Sequence, residues 1–496
     1  MEPQIEPADG PLWRVARHLG VYGVGSAISL VSSAVLLPIF ATQFSAKQFG
    51  VVATGQIASL AAITIARLGL NSGMFRFLAV YQTDGDAHGA DRAVTTAVIT
   101  TLFSSLIVTL AMFAALAVIG SRISADLQLN GALIAANVVM SAPRETAEFA
   151  LQAKQHSRSY VVFTSTTTIL TTILTAVLAL LFHGGAVAVF ISALVANSLM
   201  SAVGLIILRP HLKISAWSRE ELRREARFGV VGVPALLADW VMQFSDRLFL
   251  TRFVGLAQVG VYSLGYRIGL IEAQILGAAT SSAWSPFVLS EYREPDGSRT
   301  IGRVATYFAI AGMALVLFIS ASGPLFLLVI HARAEYQAAN SVIFLIAFAN
   351  FFAVMQHIFS TPPMIRLRPE WGTLFRMIGA GVNIALNFAL IPTFGMLGAA
   401  WSTLATFVIT ALITEVVGRK FWRIAYEYRK LVLIVAGGVV IQLLIDLSQR
   451  SGTSVPMALS PLWSLVLFSG WLLATGSFSL GDARALARRL RRTVAA

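Results

Sequence analysis

Ionisable and amide side chains interrupt long apolar stretches of this sequence at steps of three and four residues, which places them on single helical faces. The longest such face comprises Asn137, Ser141, Arg144, Glu148 and Gln152, with Glu145 beside it. A charged side chain at the centre of a membrane helix costs ~2.5–3.5 kcal/mol on insertion scales. A polar face on an apolar helix therefore indicates either a hydrated cavity or a set of ion pairs.

Five other apolar stretches carry polar faces of the same kind. They contain Gln56 and Arg67; Asp239, Gln243, Asp246 and Arg247; Ser263, Arg267, Glu272 and Gln274; Asn350 and His357; and Arg376, Asn383 and Asn387. We expect these faces to line one hydrated cavity. In the alternative interpretation each charge belongs to a structural ion pair, and Arg144 and Glu148 have the ideal i, i+4 spacing for one. The sequence leaves both interpretations open.

The composition excludes an ordinary soluble protein. Charged residues make up 12% of the chain and the mean hydropathy is +0.75, whereas soluble domains contain about 25% charged residues. The chain has no cysteine, so disulfides and thiolate metal sites are excluded. It contains neither a G-x-x-x-x-G-K-[ST] nor an H-E-x-x-H motif. We therefore predict a protein that is not an enzyme, with no cofactor, no metal site and no nucleic-acid partner.

Fourteen apolar stretches can cross the membrane as helices, because about 20 residues span ~30 Å of hydrocarbon. They are Leu19–Phe40, Val51–Leu70, Ala93–Ile119, Gly131–Leu151, Tyr160–Phe182, Ala186–Leu208, Gly229–Thr251, Val259–Leu289, Val304–Ile330, Ala338–Ser360, Trp371–Ile391, Gly395–Gly418, Leu431–Leu447 and Pro461–Phe478. The predicted fold class is an all-α polytopic membrane protein with 14 transmembrane helices.

The basic residues fall on alternate sides of these stretches. Of the 37 Lys and Arg residues, 27 lie on the connectors of the N-terminal side, 5 on the opposite connectors and 5 within the stretches. The positive-inside rule then places both termini in the cytoplasm. The net charge of +13 is accounted for by connectors that face anionic lipid headgroups. Because Met1–Pro11 carries no basic residue, we expect the first span to be retained and not cleaved as a leader.

An internal repeat near 210 residues relates two halves of the chain. Ser45–Val51 resembles Gly255–Val261, and Gly184 after the fifth span takes the place of Gly395 after the eleventh. An even number of crossings gives both halves the same orientation. The predicted organisation is an N-terminal six-helix lobe (1–208), a basic cytoplasmic linker (209–228), a C-terminal six-helix lobe (229–418), two additional transmembrane helices (419–480) and a basic tail (481–496). The tail is either an interfacial amphipathic helix or frayed.

Three segments are characteristic in combination: LLPIFATQFSAKQFG at Leu36–Gly50, SDRLFLTRFVGLAQVGVYSLGYRI at Ser245–Ile268, and LNFALIPTFGMLGAAWSTL at Leu386–Leu404. Together they resemble the oligosaccharide flippases of the multidrug/oligosaccharidyl-lipid/polysaccharide exporter superfamily, which include O-antigen and exopolysaccharide unit translocases. The resemblance implies a two-lobed, V-shaped bundle with a central cavity that works by alternating access. It also implies a cargo, an undecaprenyl-diphosphate-linked oligosaccharide moved between the leaflets of the bacterial inner membrane.

Arginines in a cavity would suit such a cargo, because guanidinium groups pair bidentately with phosphate. The predicted substrate-binding residues are Arg67, Arg144, Gln243, Arg247, Arg267, Arg376, Asn383 and Asn387. Arg67 and Arg376 lie near span ends, where long side chains extend to the interface. Carboxylates removed from water can exchange protons. The predicted sites of coupling to H⁺ or Na⁺ are Asp239, Glu272 and Glu145.

The leading hypothesis is translocation of lipid-linked oligosaccharide units for surface polysaccharide assembly. A cation-coupled multidrug exporter of the same fold is the first alternative, although arginines inside the membrane disfavour cationic substrates. The second alternative is a non-transporting membrane scaffold of a glycan-assembly complex. The expected partners are the lipid-linked substrate, membrane lipids and, as a further candidate, a glycan polymerase.

Overall fold

The computed structural model describes residues 11–67, 69–119, 125–368, 370–450, 456, 458–478 and 481. Throughout these ranges every regular element is a helix. The predictions for Met1–Gly10 and for the tail from Asp482 onward lie outside the described residues. The all-α fold class is confirmed.

The described chain forms nineteen α-helices, joined by short 3₁₀ and π-helical turns. The first ten are α1 (Pro11–Gln43), α2 (Ala46–Arg67), α3 (Leu70–Thr83), α4 (Ala87–Ile119), α5 (Ala125–Met140), α6 (Ala142–Ala153), α7 (Ser157–Leu181), α8 (Gly185–Leu208), α9 (Arg219–Gly229) and α10 (Val233–Phe253). The others are α11 (Leu256–Gly269), α12 (Ile271–Ala279), α13 (Ser285–Glu291), α14 (Gly297–Val329), α15 (Asn340–Phe359), α16 (Thr361–Ile365), α17 (Glu370–Gly418), α18 (Tyr428–Arg450) and α19 (Ser460–Ala474).

These helices form two compact units, the first ending at Trp240 and the second beginning at Val241. One core cluster of the first unit is rich in small side chains, including Ala93, Ala97 and Ala147, which are fully buried. Small residues let membrane helices approach closely. The division falls inside α10, whereas the lobe boundaries predicted at 208, 228 and 418 stay predictions.

Nine of the described helices are long and apolar enough to cross a membrane. Three shorter apolar helices accompany them, Ala27–Gln43, Leu127–Met140 and Ser460–Ala474. The chain is therefore a multi-pass membrane protein. Each of the fourteen predicted stretches overlaps a helix, but the count of fourteen crossings stays a prediction.

Two predicted spans are interrupted. The one over Gly131–Leu151 is divided into α5 and α6 just before Pro143, which lacks a backbone N–H and crowds the preceding turn. The one over Val259–Leu289 is divided into α11, α12 and α13, with a π-helical segment at Thr280–Trp284 before Pro286. Each interruption lies beside a proline that indicates a bent helix in the sequence, Pro143 or Pro286. Local backbone constraints therefore override the apolar pattern.

Helix α17 folds back on itself as a helical hairpin. Asn383 Nδ2 donates a hydrogen bond to Thr406 Oγ1 at 3.2 Å, although the two residues are 23 positions apart and would be separated by ~35 Å in a straight helix. The chain turns at Gly395, whose φ of 56° and ψ of −131° suit glycine only. The two halves correspond to the predicted spans Trp371–Ile391 and Gly395–Gly418.

The internal repeat recurs as two glutamine–glycine contacts. Gly185 and Gly395 both have a φ of 56°, and each lies against a glutamine side chain, Gln48 in the first unit and Gln258 in the second. The two glutamines are 210 residues apart, as are the two glycines. The same local structure thus occurs at the predicted offset, but the equivalent of Gly395 is Gly185 and not, as predicted, Gly184.

The connector that follows α8 packs tightly against the first unit through α9. A Cβ atom on Gly69 would lie 2.4 Å from the carbonyl oxygen of Gly229, and one on Gly73 would lie 2.4 Å from the carbonyl oxygen of Glu225. Glycine is required at these positions because any side chain would separate α3 from α9. The predicted linker is therefore an ordered part of the surface of the first unit.

We expect Gly73→Ala to lower the thermal unfolding midpoint of the purified protein in detergent. Forcing a methyl group against a backbone carbonyl costs ~1–3 kcal/mol, which outweighs the ~1 kcal/mol gained in helix propensity. Gly381→Ala is the matched control, because Gly381 lies in α17 and a Cβ atom added there would have no described neighbour within 4 Å. An equal rise in the midpoint for both variants would contradict the close crossing of α3 and α9.

Candidate functional site

In the first unit, Arg67 is the centre of a buried polar cluster. It is the last residue of α2, and only 5% of it is exposed. Its Nε lies 3.1 Å from Glu145 Oε2, and its Nη2 donates to Ser141 Oγ at 3.0 Å. The expectation that Arg67 extends to the membrane interface is therefore wrong, because its charge is compensated by partners inside the unit.

Arg144 extends this cluster into a row of alternating charges. Its Nη2 lies 3.3 Å from Glu145 Oε1, and its Nη1 pairs with Glu148, as the i, i+4 spacing predicts. We call the row Arg67–Glu145–Arg144–Glu148 the charge ladder. Its last three side chains are 16–18% exposed. The ladder has no net charge, which reduces the cost of burying it.

The charge ladder is built so that an anion could exchange with one of its carboxylates. Glu145 contacts both guanidinium groups, whereas Glu148 pairs with Arg144 alone. Arg144 contacts Glu148 through Nη1 and Glu145 through Nη2, so a phosphate that displaced Glu148 would take over one charge-assisted contact.

Sequence reasoning missed two hydroxyl groups that position the ladder. Ser105 Oγ accepts from Arg67 Nη1 at 3.5 Å, and Ser201 Oγ accepts from the backbone N–H of Arg144 at 3.1 Å. Ser105 had a signal, because it follows Thr101 by four residues on α4 and both are fully buried. Ser201 had a signal of the same kind, because it follows Asn197 by four residues on α8.

In the second unit, Arg247 is held in a buried aromatic cage. Its Nη1 donates to Asp246 Oδ1 at 2.9 Å and to the carbonyl oxygen of Gln243 at 2.6 Å. Its Cζ lies 3.9 Å from the ring centroid of Tyr266 and 5.3 Å from that of Tyr262, and the Tyr262 hydroxyl donates to Asp246. Hydrogen bonds and cation–π contacts together compensate the buried cation. The tyrosines were not predicted, because they carry no helical polar pattern.

Arg267 lies beside this cage on α11. It is partly buried, and its guanidinium group interacts electrostatically with that of Arg247. The Gln243 side chain is exposed on α10, while its carbonyl oxygen binds Arg247. The second unit therefore brings three of the predicted substrate-binding residues together. Neighbouring cations attract a multiply charged anion.

The predicted residues Asn383 and Asn387 belong to an interior hydrogen-bond network. Asn387 Nδ2 donates to Asn383 Oδ1 at 2.9 Å and to Ser245 Oγ at 3.1 Å, and Asn383 Nδ2 donates to Thr406. The two asparagines are 1% and 0% exposed. Their amide groups join the halves of α17 to α10, so the network stabilises the hairpin. Their assignment to substrate binding stays a prediction.

The remaining predicted residues lie at separate places. Glu272 on α12 is fully buried, and neither of its carboxylate oxygens accepts a hydrogen bond from a described residue. Arg376 is exposed on α17 and interacts electrostatically with His357, and Asp239 is partly buried on α10. Within the described part of the chain, no group of three His, Asp or Glu side chains is arranged to hold a metal ion.

A comparison with protein families shows which family the chain belongs to. Residues 15–293 match the model of a family described as polysaccharide biosynthesis protein. The chain belongs to this polysaccharide biosynthesis family. The matched range covers more than half of the sequence and contains both the charge ladder and the Arg247 cage. Among curated proteins, none matches the chain.

Solved structures establish the fold of this polysaccharide biosynthesis protein. An inward-facing MATE-family multidrug resistance transporter of the MOP superfamily aligns with a TM-score of 0.67 and 16% identity, over 80% of this chain and 97% of that one. An outward-facing MATE-family transporter aligns with a TM-score of 0.59 and 14% identity, over 83% of this chain and 95% of that one. A MOP-superfamily transporter from Pyrococcus furiosus aligns with a TM-score of 0.61 and 14% identity, over 83% of this chain and 96% of that one. The fold is that of these solved structures, and the predicted resemblance to a polysaccharide family is confirmed by the family match.

We expect Arg67 and Glu145 to show strong energetic coupling in a double-mutant cycle of unfolding free energies. Arg67→Met should destabilise the polysaccharide biosynthesis protein by ~3–5 kcal/mol, because it leaves a buried carboxylate short of a partner. Adding Glu145→Gln should restore part of the loss. The control cycle uses Arg92 and Asp86, which form a 3.6 Å pair with both side chains 41% exposed and should couple by less than ~1 kcal/mol. Equal coupling in the two cycles would contradict the role of the ladder.

Proposed function

We propose that this chain moves lipid-linked oligosaccharide units across the membrane by alternating access. One observation carries the proposal: a polysaccharide biosynthesis family match lies on a transporter fold. No connector among the described residues is long enough to form a separate soluble domain. A role in polysaccharide assembly is then best met by transporting an intermediate that is already attached to a membrane lipid.

The charged groups support a diphosphate as the part of the cargo that crosses the membrane interior. In the first unit, Arg144 would bind a phosphate group in place of Glu148. In the second, Arg267 would contact a phosphate group, and Arg247 would stay in its cage with Asp246 as a positioning group. Apolar grooves between helices would accommodate the polyprenyl chain.

Coupling to an ion gradient is assigned to the buried carboxylates. Glu272 is the strongest of the three candidates because it is fully buried and neither of its carboxylate oxygens accepts a hydrogen bond from a described residue. Glu145 contacts Arg67 and Arg144, which hold it in the ionised form until a substrate anion takes one of these contacts. Exchange of a carboxylate for a phosphate on an arginine would link substrate binding to proton uptake. Glu272 and Asp239 would serve the same purpose elsewhere, with H⁺ or Na⁺ as the ion.

A multidrug exporter is the second candidate, because MATE-family transporters share the fold. For the Pyrococcus furiosus transporter, a binding pocket of reverse polarity is taken to suggest a different function. By the same reasoning, arginines inside the membrane make an anionic cargo the better fit here. A scaffold without transport activity is the third possibility to be tested.

Reconstitution in proteoliposomes distinguishes the three candidate functions. We expect a fluorescent polyprenyl-diphosphate oligosaccharide to become accessible to a membrane-impermeant quencher or enzyme on the opposite face. A cationic dye should not be transported. Dye transport alone would establish the exporter, and transport of neither would leave the scaffold.

We expect Arg267→Ala to weaken substrate binding about 10- to 100-fold, because a lost charge-assisted contact costs ~1.5–3 kcal/mol. Initial flipping rates against substrate concentration would measure the effect. Arg267→Lys should recover only part of it, since lysine cannot bind phosphate bidentately. Arg333→Ala is the control, because Arg333 precedes the 3₁₀ turn after α14 and is partly exposed with an ion-pair distance of 3.9 Å to Glu335. Wild-type flipping by the Arg267→Ala variant would remove Arg267 from the site.

The proposed topology has fourteen crossings of the bacterial inner membrane and both termini in the cytoplasm. The chain has no cysteine, so single introduced cysteines report sidedness directly. A cysteine at Gln128 should react with an impermeant maleimide on intact spheroplasts. One at Ser215 should react only after the membrane is made permeable. The reverse pattern would overturn the orientation.

A further inference from the structure

The segment that joins α8 to α10 lies at the membrane surface. It begins where the candidate span Gly185–His211 ends, and the next candidate span, Arg219–Phe253, starts with α9 and continues into the apolar α10. Its helix α9 has the sequence REELRREARFG, which is too charged for the hydrocarbon interior. The segment is therefore at the level of the lipid headgroups.

Helix α9 has opposite charges on opposite faces. Glu221 and Glu225 point into the first unit and are 2% and 0% exposed, and the Tyr81 hydroxyl donates to Glu221 Oε2 at 2.9 Å. The opposite face carries Arg219, Arg223 and Arg227, which recur every four residues and are exposed. We call these three residues the arginine stripe. Repeats of four place them in one row of ~12 Å.

The arginine stripe is not neutralised by its own chain. None of its three guanidinium groups forms an ion pair with a described residue. By contrast, the neighbouring Arg224 pairs with Glu220. The stripe therefore offers uncompensated positive charge at the surface.

Exposed apolar side chains flank the stripe. Ile214 is 87% exposed and Trp217 is 43% exposed before α9, and Val231 is 73% exposed after it. Tryptophan favours the membrane–water interface, where its ring meets apolar chains and its N–H meets headgroups. A row of basic residues between such anchors is typical of a surface that lies on a bilayer.

The start of the segment is fixed to the first unit. Lys213 Nζ lies 2.6 Å from Asp91 Oδ2, and His211 Nδ1 lies 2.9 Å from Asp91 Oδ1. The N–H of Ser218 donates to Thr96 Oγ1 at 3.1 Å. These contacts, together with the close packing of α9 on α3, fix the orientation of the arginine stripe relative to the first unit.

We propose that the arginine stripe, flanked by Ile214 and Trp217, is a binding surface for the phosphate groups of anionic phospholipids. Each arginine contacts phosphate oxygens of the leaflet beside α9, while Ile214 and Trp217 enter the boundary between headgroups and acyl chains. Charge complementarity and the position between two spans favour lipid over an acidic protein. Because α9 is fixed to the first unit, the lipid contact holds that unit at a defined depth.

The test uses the full chain with one cysteine at the exposed position Ser215, labelled with a fluorophore and placed in nanodiscs. Quenching by brominated phosphatidylglycerol is compared with quenching by brominated phosphatidylcholine. The ratio measures the preference of this surface for anionic lipid. We expect a clear preference for phosphatidylglycerol that falls with added salt, because headgroup contacts are screened. Each single change, Arg219→Gln, Arg223→Gln or Arg227→Gln, should lower the preference about fivefold.

The matched control is the triple variant Arg293→Gln, Arg299→Gln and Arg303→Gln, which removes three exposed basic residues just before and within the start of α14. It should leave the preference at position 215 unchanged. Equal quenching by both lipids in the protein with an unchanged stripe would overturn the proposal. An equal loss of the preference for phosphatidylglycerol in the stripe and control variants would also overturn it. So would release of a bound acidic protein by the stripe variants while the lipid preference is unchanged. Because each stripe variant carries a single change, the test does not depend on the folding of a triple stripe variant.

Discussion

Charge compensation inside an apolar environment is the constraint on which this structure depends. A cation removed from water is tolerated only when ion pairs, hydrogen bonds or ring contacts replace its hydration. The first unit meets this need with the charge ladder, in which each guanidinium group touches a carboxylate. The break between α5 and α6 near Pro143 supports it, because Ser141 at the break bonds Arg67. The irregular backbone and the buried charges are thus parts of one arrangement.

The second unit meets the same constraint differently. Arg247 is enclosed by two tyrosine rings and pairs with Asp246, its neighbour in sequence. Helix α17 turns back at Gly395, and its two halves are joined through asparagine and threonine side chains. Despite the shared 210-residue offset of the glutamine–glycine contacts, the polar groups of the two units differ. The repeat has preserved backbone turns while the charged groups have diverged.

These differences bear on the proposed transport cycle. The charge ladder is neutral and partly exposed, so it suits an exchange of one anion for another. The Arg247 cage is closed, which makes Arg247 a positioning group and Arg267 the better candidate for direct contact with phosphate. The connector helix α9 adds a surface outside these sites, with acidic residues turned inward and arginines exposed on the opposite face. Interior and surface charges therefore serve separate purposes in one chain.

The sequence by itself determined the helical class, the approximate position of each apolar helix and the Arg144–Glu148 pair, because these depend on local periodicity and on spacing along one helix. Only the tertiary structure decided that Arg67 is buried against Glu145, that Tyr262 and Tyr266 enclose Arg247, and that Gly185 and not Gly184 is the counterpart of Gly395. It also decided that the linker packs against α3. Contacts between distant helices leave no periodic signal in either partner, and a glycine reveals its role only when another backbone lies within contact distance.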